Sequence, residues 1–116
     1  MKNLKALSDS ELLESTTRAV ANERSATSVV LAHLEEVELR GLHLKLGRSS
    51  LSEYCMKDQG YTKDEAYLRV AAMRLGRQVP EVTPAIEAGR LSLSHLASAQ
   101  RYFNQERTAG APVSLE

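Results

Sequence analysis

Four side chains in this chain carry metal-ligand or nucleophile chemistry, His33, His43, His95 and Cys55, and their spacing suits neither task. A zinc site needs several ligands converging on one ion, which in sequence appears as Cys-x-x-Cys, His-x-x-x-His or His-Glu-x-x-His. Here the histidines stand far apart and the thiol is alone, so they read as solvated or half-buried single residues. Cys55 sits between Tyr54 and Met56 in a short amphipathic run, where a small buried hydrophobe is expected. A nucleophilic thiolate would need an adjacent base, and its sequence neighbours offer none. Glu35, Glu36 and Glu38 concentrate carboxylates, but consecutive helical residues diverge around the axis, so a solvated face is expected. Gly76 and Gly89 are isolated and make no phosphate loop. The expectation is no catalytic constellation, no metal site, no cofactor and no small-molecule substrate.

A second kind of chemistry is better represented. Lys63, Tyr67, Arg69, Arg74 and Arg77 fall within one helical stretch. Ala66, Val70 and Met73 follow the i, i+4, i+7 pattern of a core face, which leaves Lys63, Tyr67, Arg74 and Arg77 off that stripe. Tyrosine and arginine both make phosphate contacts, so this face suits a nucleic-acid backbone. The plainer reading is a solvated face paired with Asp64 and Glu65.

The elements that would position those residues are marked by punctuation. Ser50 with Glu53 forms a capping box opening a helix over residues 50–59, Gly60 supplies a left-handed stop, and Thr62 with Glu65 opens a helix over 63–78. Two short helices joined by a Gly-Tyr-Thr turn make a helix-turn-helix candidate over 50–78. Upstream, Ser8 and Glu11 form another box, and no Gly or Pro interrupts residues 9–40. The long helix is expected to run from 8 to 47, through Gly41 and the alternating Leu42-His-Leu-Lys-Leu, and to end at Gly47. Polar residues cluster at Asn22-Glu-Arg-Ser25, where it would bend or break. Downstream, Val79-Pro80 closes the second helix of the pair. Thr83-Pro84 reads as N-cap and first helical residue of a helix over 84–88 ended by Gly89, and Ser92 as the cap of a last helix over 93–105. The expected fold is all-α: a tail over 1–7, a helical domain over 8–107 with C-terminal helices in 84–105, and a linker or cloning remnant over 108–116, as if cut from a longer protein.

Composition restrains the nucleic-acid idea. The chain has 116 residues with 15 basic and 15 acidic side chains, so its formal net charge is zero, whereas a free-standing DNA-binding module usually carries a basic excess. Residues 48–107 are basic by only two charges. With no Trp and one Phe, the core must be built mostly from Leu, Val, Ala and Met. The single cysteine suits a reducing compartment, no run approaches a membrane span, and no signal peptide follows Met1, so a cytoplasmic location away from membranes is expected.

Ordered short motifs resemble a known family. Glu35-Glu-Val-Glu-Leu-Arg-Gly-Leu-His-Leu, Gly47-Arg-Ser-Ser-Leu-Ser-Glu-Tyr-Cys, Gly60-Tyr-Thr, Ala66-Tyr-Leu-Arg, Ala72-Met-Arg-Leu, Val79-Pro-Glu-Val and Ile86-Glu-Ala-Gly-Arg-Leu-Ser-Leu are similar to the helical region preceding the nuclease module of bacterial HNH endonucleases. The resemblance spans residues 8–106 and implies an all-helical, non-catalytic accessory region of a metal-dependent DNA-cutting protein. The HNH motif itself has no counterpart here, so nuclease activity is not carried over.

Two roles follow as expectations. One is weak binding to duplex DNA through Lys63, Tyr67, Arg69, Arg74 and Arg77. The other is homodimerisation through the apolar positions of the long helix, Leu13, Val20, Val30, Leu34 and Val37, since a helix of such length outruns the cover its own chain offers. The two are compatible, because a two-fold dimer sets two recognition helices at a fixed spacing.

Overall fold

The computed structural model describes residues 3–95, and these are all-α, with no strand among them. After a single 3-10 turn at Leu4–Ala6 come α1 (Asp9–Arg40), α2 (Leu42–Lys45), α3 (Leu51–Gln59), α4 (Lys63–Gln78) and α5 (Val82–Glu87). The expected helix over 93–105 lies largely outside the described residues, but 93–95 are helical and Ser92 Oγ accepts from His95 N–H at 3.1 Å, as a cap does. The tail over 108–116 also lies outside them.

Local punctuation explains most of the boundaries. Ser8 and Glu11 close a reciprocal box at the start of α1, and Thr62 and Glu65 do the same for α4. The box expected at α3 is only half made. Ser50 Oγ accepts from Glu53 N–H, but the Glu53 carboxylate turns to Ser49, taking its N–H at 3.0 Å. Gly60, at φ 77°, stops α3 in the left-handed region that other residues avoid.

Three expectations on helix ends need correction. The long helix does not reach Gly47: at Gly41 the backbone flips to φ 64°, its N–H closing on the carbonyls of Val37 and Glu38, and the chain restarts as the single turn of α2. A glycine cap that satisfies two terminal carbonyls stops the helix although Leu42–Lys45 are themselves helix-compatible. Conversely, α1 is continuous through residues 22–25, because polar side chains on a solvated helix leave the backbone ladder intact. Helix α5 starts at Val82 with Glu81 as its cap residue, so Thr83 is not the N-cap. Pro84 is tolerated there because the first-turn N–H groups have no intrahelical partner in any case.

Helix α4 is central, packed against both α1 and α3, while α5 packs on α1 and α4. Leu31 and Leu34 of α1, Leu51 and Cys55 of α3, Ala66, Val70, Ala72, Met73 and Leu75 of α4, and Val82 and Ile86 of α5 form one buried cluster. Ser28, buried on α1, ties that helix to α5 by donating to Glu87 Oε1 at 2.8 Å. Among the described residues this core meets only the C-terminal half of α1. From Asp9 to Ala26 every residue but the half-buried Ser15 is exposed.

Candidate nucleic-acid interface

The α3 and α4 helices and their three-residue turn fall where the helix-turn-helix candidate is expected, and α4 carries all five of the candidate contact residues. At about 100° per residue, Lys63, Tyr67 and Arg74 fall on one outward line, Arg77 lies at its edge, and Arg69 points to another side of the helix. Lys63 is exposed and meets no carboxylate within ion-pair distance among the described residues. Tyr67 is also exposed.

The two distal arginines are in a different position. Arg74 donates to Glu38 Oε2 through Nη2 at 2.6 Å and Nε at 3.2 Å. Arg77 donates to Glu38 Oε1 at 2.9 Å and to Glu35 Oε2 at 3.3 Å. The acids expected to neutralise this face, Asp64 and Glu65, are not the ones that do so; the partners come from α1. The pairs are half in water, with side-chain exposures of 51% for Arg74, 39% for Arg77 and 20% for Glu38. The hydrogen bond from Arg74 holds the Glu38 carboxyl below the usual carboxylate range, against the opposing effect of its partial burial. The same contacts, chiefly that to Glu38, raise Arg77. Both guanidiniums therefore reach solvent with their charge already matched by α1.

Arg69 stacks over the Tyr61 ring, 4.5 Å from its centroid, and donates to the Glu65 carbonyl at 3.1 Å. The Glu65 carboxylate is occupied by Thr62 N–H, and that bond lowers its pKa. Sequence reasoning also passed over two cations. Lys57 sits near the end of α3, exposed and only loosely paired with Glu53 at 3.9 Å, just across the turn from Lys63. Arg24 of α1 lies over Gly89. Lys57 was visible as a last-turn cation of a helix leading into the turn; nothing in the sequence ties Arg24 to Gly89.

The dimerisation candidates do not form one surface. Leu34 is 4% exposed and part of the chain's own core, and Val30 and Val37 pack against that core. Leu13 and Val20 are exposed, Leu13 by 70%. The physical reason is helical drift: over this length the two groups of positions diverge by roughly 80° around a straight helix.

The remaining reactive types are accounted for singly. His33 Nδ1 bonds the Val29 carbonyl at 2.7 Å, His95 is exposed, and His43 is buried. Cys55 is fully buried, and that burial pushes its thiol up. Among the described residues no three His, Cys, Asp or Glu side chains cluster in a way that could hold a metal ion, and no helix is long and apolar enough to cross a membrane.

No protein-family description, curated protein or solved structure matches this chain.

Proposed function

We propose that this chain is a non-catalytic, DNA-positioning helical region of the kind that accompanies an HNH-type nuclease module, holding duplex DNA weakly at the α3–α4 turn. The observation that carries it is the pair of exposed lysines, Lys57 and Lys63, on either side of that turn, with Tyr67 one helical turn further along α4. The N-terminal end of the second helix is where helix-turn-helix proteins approach DNA. The resemblance of the sequence motifs supports the same reading. With Arg74 and Arg77 matched by Glu38 and Glu35, few phosphates are neutralised, and affinity starts low.

Fluorescence anisotropy of a labelled random-sequence duplex tests this. Binding should appear at about 50 mM salt, where electrostatic contacts are strongest, and fade on raising the salt. Lys57→Gln together with Lys63→Gln should remove it without changing the fold. No binding by the unmutated chain at that salt would end the DNA role.

A second reading has its own support. Leu12, Leu13 and Val20 on the uncovered half of α1, and Leu39, Leu44 and Leu46 near its far end, are all exposed. Exposed apolar side chains along a helix that its own chain leaves uncovered favour an interaction scaffold, self-association included. Sedimentation at rising concentration tests it, a single monomeric species being the unfavourable result.

A further inference from the structure

Away from the outward line of α4, a cleft of about 540 Å³ opens between α1, α4 and the segment after α5. Two arginines line it, Arg24 from α1 and Arg69 from α4, together with Glu23. Neither guanidinium has a carboxylate within ion-pair distance among the described residues. Arg40, Arg48, Arg74 and Arg77, by contrast, all have acidic partners. Of the two, Arg69 is held in place, and Arg24 reaches the cleft from α1 as an exposed side chain. Arg69 is fixed by the Tyr61 ring and the Glu65 carbonyl. Arg24 lies so close over Gly89 that a Cβ there would come within 2.6 Å of its guanidinium carbon, and Gly89 has the left-handed φ of 78° that only glycine adopts freely.

The rest of the wall has two characters. Thr27, Ser92 and Ser94 supply hydroxyls, whereas Leu68, Ile86 and Leu91 supply apolar surface. Two guanidiniums lining one cleft with a net positive charge favour a phosphate, which guanidinium binds through paired hydrogen bonds. The volume exceeds what a bare phosphate needs and falls in the range of small-ligand pockets, and the apolar wall would cover an organic body.

We propose that this cleft binds a phosphate ester of nucleotide size, its phosphate on Arg24 and Arg69 and its organic part against Leu68, Ile86 and Leu91. A free nucleotide and an unpaired nucleotide of a nucleic-acid strand both offer such a phosphate. The chemistry is shared, and the test separates the two. Because the cleft is off the face assigned to duplex DNA, it stands or falls independently of that role.

Backbone amide NMR spectra of the unmutated chain, titrated with AMP, adenosine and a 5′-phosphorylated oligothymidylate, provide the test. AMP should move the Gly89 and Leu91 amides saturably, with a dissociation constant on the order of 1 mM, and adenosine should not. A free nucleotide as the natural form predicts that AMP binds at least as tightly as the oligonucleotide; a strand predicts the reverse. Arg24→Gln and Arg69→Gln should each weaken AMP at least tenfold while leaving the spectrum folded, with Arg24→Lys restoring part of the loss. Gly89→Ala keeps every charge but displaces the Arg24 guanidinium, and should weaken AMP as well. Equal responses to AMP and adenosine, or AMP binding unchanged in both glutamine variants, would overturn the proposal whatever the duplex titration shows.

Discussion

Exchanging Glu35 and Glu38 together for glutamine should convert a weak DNA binder into a tighter and more salt-sensitive one. These two carboxylates of α1 hold the guanidiniums of Arg74 and Arg77, and glutamine keeps their size while removing the charge. With Lys63 unpaired among the described residues and Lys57 only loosely paired near the turn, about two phosphates are contacted and log K should fall with log salt at a slope of about −1.8. Releasing two arginines raises the count to about four and the slope to about −3.6, so that raising salt from about 50 to 200 mM costs roughly 150-fold instead of roughly 12-fold. At the lower salt each added contact is worth about tenfold in affinity. The folding cost is modest, because the pairs are half in water: on the order of 1–2 kcal/mol for the whole network. The assay is anisotropy on a short random duplex across that salt range, with Asp9→Asn plus Glu14→Gln, both on the exposed N-terminal half of α1, as a control of equal charge change. An unchanged affinity and slope in the double variant, or an equal gain in the control, would refute the idea that α1 holds these arginines back from phosphate.

Acid should weaken the α1–α4 contact in a defined direction. The Glu38 carboxyl is held below its ordinary range, so its stabilisation is complete above the unfolded carboxylate pKa of about 4.3 and is lost as pH falls through its lower folded value. Urea midpoints followed through that range should show a steeper acid limb for the unmutated chain than for Glu38→Gln; parallel limbs would count against it. Leu34→Ala should cost about 2–5 kcal/mol, since Leu34 is a buried core residue. Leu13→Lys with Val20→Lys should stay within about 0.5 kcal/mol of the unmutated stability while abolishing any concentration-dependent mass in sedimentation. Cys55, fully buried and with its thiol pushed up, should react with a chromogenic disulfide only as the chain opens, so immediate labelling of the native protein would contradict its placement.

What the sequence reveals here tracks how local each cause is. Ser8 with Glu11 and Thr62 with Glu65 are read correctly three residues apart, because a capping box is complete within one turn. Gly41 and Gly47 are harder: both take left-handed backbone in the structure, and a helix-compatible Leu42–Lys45 between them makes either a plausible end. Choosing Gly41 depends on its N–H closing on the Val37 and Glu38 carbonyls, a competition that periodicity does not rank. The charge state of the candidate interface is harder still. Spacing alone puts Lys63, Tyr67 and Arg74 on one line of α4, but the acids visible beside them, Asp64 and Glu65, are not their partners. Glu38 and Glu35 lie 36 and 42 residues upstream of Arg74 and Arg77, and only the packing of α1 on α4 brings them together. The same packing sets Arg24 and Arg69 on one cleft with no carboxylate within ion-pair distance of either among the described residues. In a chain of zero net charge, the helical pattern decides which cations share a face; tertiary contact decides which of them remain available to an anion.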